Sequence, residues 1–137
     1  MARLAIDGLS GFGVDEREIA RGGVSYSIDT VASFRDEHPD DELFFLIGAD
    51  SVDELPRWRR IEDLARLVTF LVAGRPGVGE IPAGVGTVAG LRLRIMEGTR
   101  VGISSTDIRR RARAGLPLRG FVPDAVARVI AEEDLYR

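Results

Sequence analysis

The 137-residue chain contains no cysteine, lysine, asparagine or glutamine, and only one histidine, His38. Without cysteine there can be no disulfide, thiolate metal ligand or cysteine nucleophile. Without lysine there can be no P-loop lysine and no Schiff-base catalysis. A single histidine rules out a metal site assembled from several imidazoles. Long apolar runs are missing too, so no stretch spans a bilayer. The opening "MARLAIDGL" has neither the apolar core nor the cleavage site of a signal peptide. The expectation is a cytoplasmic protein with no membrane partner. A net charge of -3 argues against general nucleic-acid binding, which needs a basic surplus.

What is present describes an ordinary globular chain. Hydrophobic residues make up 45%, enough to bury a core in one domain spanning residues 1–137. Strand-like and helix-like patterns alternate, which predicts an α/β layer structure. "GFGVDEREI" reads as a short strand with an exit loop. From Ser27 to Glu37, Ile28, Val31 and Ala32 share a helical face, and "HP" ends the helix before Pro39. "ELFFLIG" and "LVTFLVAG" are continuous apolar runs closed by Gly48 and Gly74, the pattern of strands buried on both sides. Their spacing of about 25 residues, bridged by helical material, fits a parallel-sheet unit. A Gly-rich surface loop runs to Gly90, "LRLRIME" alternates like a strand, and "PDAVARVIAEE" is a helix opened by Pro123. The "MARLAI" opening resembles the middle of an amphipathic helix. A doubly wound fold normally opens with a strand and a phosphate-binding turn. The chain is therefore expected to start inside its domain.

"ISSTDIR", Ile103 to Arg109, concentrates hydroxyls at a helix start and is followed by Arg110, Arg111 and Arg113. Ser104 and Asp107 form a capping box. Capping does not account for the arginines, because Arg109 and Arg113 repel each other at i,i+4. Free N–H groups, hydroxyls and a guanidinium fork together suit a phosphate. A local basic patch on an acidic protein fits a small anionic ligand. In "LIGADS", Asp50 lies just beyond a strand, where open sheets bind ligands. It can accept from a ribose or cap a helix. Trp58, the only tryptophan, stands among arginines in "LPRWRR" and offers a stacking platform for a heteroaromatic ring. "GVGTVA", with Gly84, Gly86 and Ala89, matches the dinucleotide fingerprint but follows no strand and leads into no helix, so it is set aside. His38, beside acids at a helix end, reads as a C-terminal helix cation and not as a base.

Taken in order, "GGVSYSIDTV", "LFFLIGADSVDELPRWRRIEDL", "GRPG", "ISSTDIR" and the terminal "LYR" resemble bacterial nicotinate-nucleotide adenylyltransferases. The resemblance runs over nearly the whole chain. It implies a Rossmann-like nucleotidyltransferase fold with a parallel sheet. The implied reaction joins ATP to nicotinate mononucleotide, with Mg2+ assisting, and gives deamido-NAD and pyrophosphate. It assigns Ser104, Ser105, Thr106 and Arg109 to the ATP phosphates, with Arg109 as the catalytic cation. Gly48 and Asp50 fall on the adenosine side. Ser27, Trp58 and Arg59 hold the nicotinate mononucleotide. No protein ligand to a metal is implied. Two departures stand out. The position after Trp58, often aromatic in the family, is Arg59, which matters little if its backbone N–H makes the contact. The family's first strand and its H-x-G-H turn have no counterpart, so the chain matches the last two-thirds of the enzyme. Loss of a central strand would leave apolar surface exposed, so the chain is expected to be unstable or to associate with copies of itself, and to be nearly inactive. The alternatives are an adenylyltransferase for nicotinamide mononucleotide or phosphopantetheine, and a nucleotide-binding module that does not catalyse.

Overall fold

The computed structural model describes residues 1–73, 88–96 and 102–136. In chain order the elements are α1 (Ala2–Ala5), α2 (Arg17–Arg21), α3 (Ser27–Glu37), β1 (Leu43–Gly48) and a 3₁₀ helix (Ala49–Arg57). They continue with α4 (Ile61–Leu67), β2 (Val68–Ala73), β3 (Leu93–Met96), α5 (Ser105–Arg113) and α6 (Asp124–Glu132). Residue contacts divide them into two compact units, Met1–Glu16 with Gly102–Arg137, and Arg17–Val101.

The second unit is the sheet and its helices. β2 lies in the middle, parallel to β1 and to β3, with Phe45 opposite Phe70 and Phe70 opposite Leu93. Both apolar runs are strands, and the helical material between them makes the connection that parallel pairing needs. Every residue of β2 is buried or half-buried, the composition of an interior strand. β1 departs from the reading of a strand buried on both sides. Leu43, Phe45 and Ile47 join the core, while Phe44 and Leu46 point outward and are 42% and 59% exposed. A continuous apolar run fixes the strand but not how many of its faces are covered.

α3 spans the residues the apolar spacing indicates. Ile28 and Val31 are buried, and His38 leaves helical geometry at φ -131° and ψ 68°, as the residue before a proline must. The core gathers Ile28 and Val31 from α3, Val52 and Leu55 from the 3₁₀ helix, and Ile61, Leu64 and Ala65 from α4. All pack on Ile47, Val68, Phe70 and Val72 of the sheet. Leu55, Leu64 and Phe70 are wholly inaccessible, each contributing about 1.5–3 kcal/mol of burial.

Where "GFGVDEREI" suggested a strand, the chain forms irregular backbone followed by the short helix α2. The alternation is confined to Phe12 and Val14, with glycine on either side of Phe12 and acids after Val14, and Phe12 is exposed, so the pair is too short to hold a strand. Most of the Gly-rich stretch, including Gly84 and Gly86 of "GVGTVA", lies outside the described residues.

The first unit is helical. α5 and α6 share a core of Ile108, Ala112, Leu118, Val126 and Ile130, and α1 packs on α6 with Ala5 against that cluster. α5 ends in a tight stop. Gly115 adopts φ +64°, its N–H reaches Ala112 O at 3.0 Å, and the Leu116 N–H reaches Arg111 O at 2.9 Å. This is the paired arrangement that closes a helix around a left-handed glycine.

Candidate functional site

In the sheet unit the polar residues of interest sit at element ends. β1 stops at Gly48, and the 3₁₀ helix begins with Asp50 in its first turn. Asp50 is not the cap, because Gly48 occupies that position. A Cβ on Gly48 would meet Asp50 Oδ1, so a side chain there would displace the aspartate's carboxylate, while the glycine's own dihedrals, φ -72° and ψ 152°, are open to any residue. The same 3₁₀ helix ends at Trp58, whose N–H closes onto Leu55 O at 3.0 Å. Arg60 then takes a left-handed conformation, φ 52°, and its Nε is fixed to Asp63 Oδ2 at 2.8 Å. The turn carries Trp58 and Arg59 out of the 3₁₀ helix before α4 starts.

Trp58 is half-buried. Its ring meets Phe45 and Phe70 edge-on, at 5.8 and 6.4 Å between centroids. It is therefore part of the aromatic core as well as a wall. The exposed part lines a pocket of about 270 Å³ together with Ser25, Tyr26, Ser27 and Arg59. Ser27 is the first residue of α3, and the Tyr26 carbonyl before it accepts from the N–H groups of Asp29 and Thr30. Thus Ser27, Trp58 and Arg59, far apart in sequence, line one pocket. Ser25 and Tyr26, which precede Ser27 in "SYS", line it too. No periodicity links Tyr26 to Arg59, yet the Arg59 guanidinium lies 4.3 Å from the centre of the Tyr26 ring.

In the helical unit, the Ser104 side chain caps α5, accepting from the Asp107 N–H at 3.1 Å. The return contact differs from a reciprocal capping box. The Ser104 hydroxyl donates to Asp107 Oδ2 at 2.7 Å, so the carboxylate meets the side chain and not the cap's backbone. The crowding of arginines has a partial explanation in helix length. α5 is nine residues long, so Arg110, Arg111 and Arg113 fall in its last turn, where the dipole favours cations. Arg110 also pairs with Asp107 at 2.9 Å, and Arg111 donates to Pro117 O and covers the Phe121 ring. Arg109 has neither excuse. It is half-buried in mid-helix and, among the described residues, donates to Thr106 Oγ1 at 3.3 Å with no acidic partner. Ser104, Ser105, Thr106 and Arg109 therefore cluster at one helix start, with hydroxyls and a cation that has no acidic partner among the described residues. Gly48, Asp50, Ser27, Trp58 and Arg59 belong to the other unit.

The only histidine caps the C-terminus of α3, its Nδ1 3.6 Å from Asp41. Among the described residues, no group of three or more His, Cys, Asp or Glu side chains could hold a metal ion. No helix among them is long and apolar enough to cross a membrane.

Comparison with known proteins adds three findings. Residues 1–111 match the family model described as cytidylyltransferase-like. The chain is 41% identical over 140 residues to a probable nicotinate-nucleotide adenylyltransferase of Gemmatimonas aurantiaca, covering 100% of this chain and 66% of that protein. It is 43% identical over 141 residues to one of Symbiobacterium thermophilum, covering 99% and 68%. The chain thus spans about two-thirds of the length of the curated relatives it matches. Among solved structures, it superposes on a Plasmodium falciparum nicotinic acid mononucleotide adenylyltransferase complexed with NaAD. The TM-score is 0.76 at 15% identity, covering 99% of this chain and 71% of that one. That likeness establishes a shared fold.

Proposed function

Because the chain belongs to the nicotinate-nucleotide adenylyltransferase family, we propose that it transfers the adenylyl group of ATP to nicotinate mononucleotide, a step of NAD biosynthesis. The acceptor phosphate oxygen bonds to the α-phosphorus of ATP, the bond from that phosphorus to the bridging oxygen breaks, and pyrophosphate leaves. Deamido-NAD is the product. Such a transfer depends on alignment and charge neutralisation more than on covalent help. The observation that supports this reading best is the pocket in which Ser27, Trp58 and Arg59 meet. It joins an aromatic wall to hydroxyls and a cation, a set that suits a pyridine carboxylate.

On this reading Ser104, Ser105, Thr106 and Arg109 hold the ATP phosphates, and Arg109 neutralises charge as it develops in the transition state. Gly48 and Asp50 take the adenosine side, the Asp50 carboxylate accepting from ribose hydroxyls. Mg2+ arrives with the triphosphate as part of the substrate. The apolar side chains exposed on β1 favour self-association.

A second reading has its own observation. His38 lies at the far end of α3 from Ser27, about 16 Å along the helix, so the only imidazole cannot serve at the acceptor pocket. A module that binds nucleotides without catalysing fits that arrangement. The test is pyrophosphate release with ATP, Mg2+ and each of nicotinate mononucleotide, nicotinamide mononucleotide and phosphopantetheine. Release that depends on nicotinate mononucleotide, however slow, supports transfer. Release with a different acceptor reassigns the substrate. Binding of ATP with no release under any condition favours the module.

A further inference from the structure

We propose that the Arg59 side chain, stacked on Tyr26, is the residue that selects a pyridine carboxylate over the corresponding amide. The inference rests on the acceptor reading above and goes beyond it, because it assigns selectivity to one side chain.

Of the five residues lining the pocket, Ser25, Tyr26, Ser27, Trp58 and Arg59, only Arg59 carries charge. The serine hydroxyls both donate and accept, so they serve an acid or an amide alike. The start of α3 adds a positive partial charge, opposed by Asp29 in its first turn. Arg59 is different in two respects. Among the described residues it has no acidic partner within ion-pair distance, whereas the next residue, Arg60, is held at 2.8 Å by Asp63, which also takes Arg66. Its guanidinium is also fixed over the Tyr26 ring at 4.3 Å. Stacking restricts a long, flexible side chain, and the N–H donors of a guanidinium lie in its own plane, free for a ligand at its edge. A carboxylate accepts at both oxygens from such an edge. An amide offers one oxygen and one NH2 group, so at one of the two positions donor meets donor.

Trp58 supplies the readout. It is the only tryptophan and lines the same pocket, so its fluorescence reports occupancy. The full chain is titrated with nicotinate mononucleotide and with nicotinamide mononucleotide. The two ligands share the ribose phosphate, so the ratio of their dissociation constants isolates the ring substituent. The acid form is expected to bind at least about tenfold more tightly than the amide. Arg59→Ala should cut that preference about fivefold, the scale of a charged contact at an exposed site. Amide binding should change by less than about twofold, while Arg59→Lys keeps part of the preference. Raising salt to about 0.5 M should erode the preference in the parent and not in Arg59→Ala. Arg59 is exposed, so an unchanged thermal melt shows that the variant is folded.

The proposal is overturned if Arg59→Ala weakens both ligands equally, which would place Arg59 on the phosphate. It is also overturned if the variant leaves the ratio unchanged, which would place the selectivity in the backbone. In both cases the acceptor reading survives. If neither mononucleotide perturbs Trp58 while ATP still binds, the acceptor reading itself fails and the inference with it.

Discussion

At the scale of single residues, two arginines at the candidate sites, Arg59 and Arg109, have no acidic partner among the described residues, while their neighbours Arg60 and Arg110 do. Arg109 is half-buried and, among the described residues, meets the Thr106 hydroxyl, while Arg110 beside it is paired with Asp107. If Arg109 neutralises phosphate, Arg109→Ala should raise the dissociation constant for ATP by about ten- to a hundredfold, the value of a hydrogen bond to a charged group. The melting temperature should move by no more than about 3 °C. Equilibrium binding and a thermal melt on the same sample separate the two effects. Ser104→Ala tests the opposite balance. Loss of the cap at 3.1 Å should cost about 1 kcal/mol in chemical denaturation, whatever it does to nucleotide. Gly48→Ala is a third case. Its Cβ displaces the Asp50 carboxylate, so ATP affinity should fall about tenfold while binding of nicotinate mononucleotide persists.

At the scale of elements, what the sequence disclosed depended on whether local chemistry decided the outcome. α3 was legible because apolar spacing and a His-Pro stop are local. So were β1 and β2, since runs such as "LFFLIG" have few other uses. The parallel pairing followed from the length of the connection. The exposed face of β1 was not legible, because coverage of a second face is decided by what lies elsewhere in the chain. Nor was the 3₁₀ helix that begins beside Asp50 and carries Pro56 inside it. The site followed the same rule. The Ser104 cap and the Arg109 cluster fall within one helix and could be read from spacing. The meeting of Ser27 with Trp58 came only through family resemblance, and the stacking of Arg59 on Tyr26 came from neither. Two substitutions probe the elements themselves. Gly115→Ala puts a Cβ on a left-handed residue and should cost about 1 kcal/mol, read as a lower denaturation midpoint. Phe70→Ala, at the centre of the aromatic cluster, should cost about 3–5 kcal/mol.

At the scale of the whole molecule, an apolar surface stands in the open. Phe44 and Leu46 of β1 and Met96 of β3 are exposed on one face of the sheet, and Ile95 on the other. Exposed apolar side chains on one sheet face favour association, so the sedimentation coefficient should rise with concentration, and Leu46→Lys should reduce that rise without loss of secondary structure. A concentration-independent monomer would remove the argument for self-association.

The central claim is adenylyl transfer to nicotinate mononucleotide, and an isotope tests it most directly. The chain is incubated with ATP labelled at the α-phosphorus, Mg2+ and nicotinate mononucleotide, and the products are separated. Label makes even a low turnover visible. Transfer puts label in deamido-NAD and none in pyrophosphate, and Arg109→Ala loses the product signal. Label that stays in ATP, in a chain that demonstrably binds both substrates, would contradict transfer and leave a binding module.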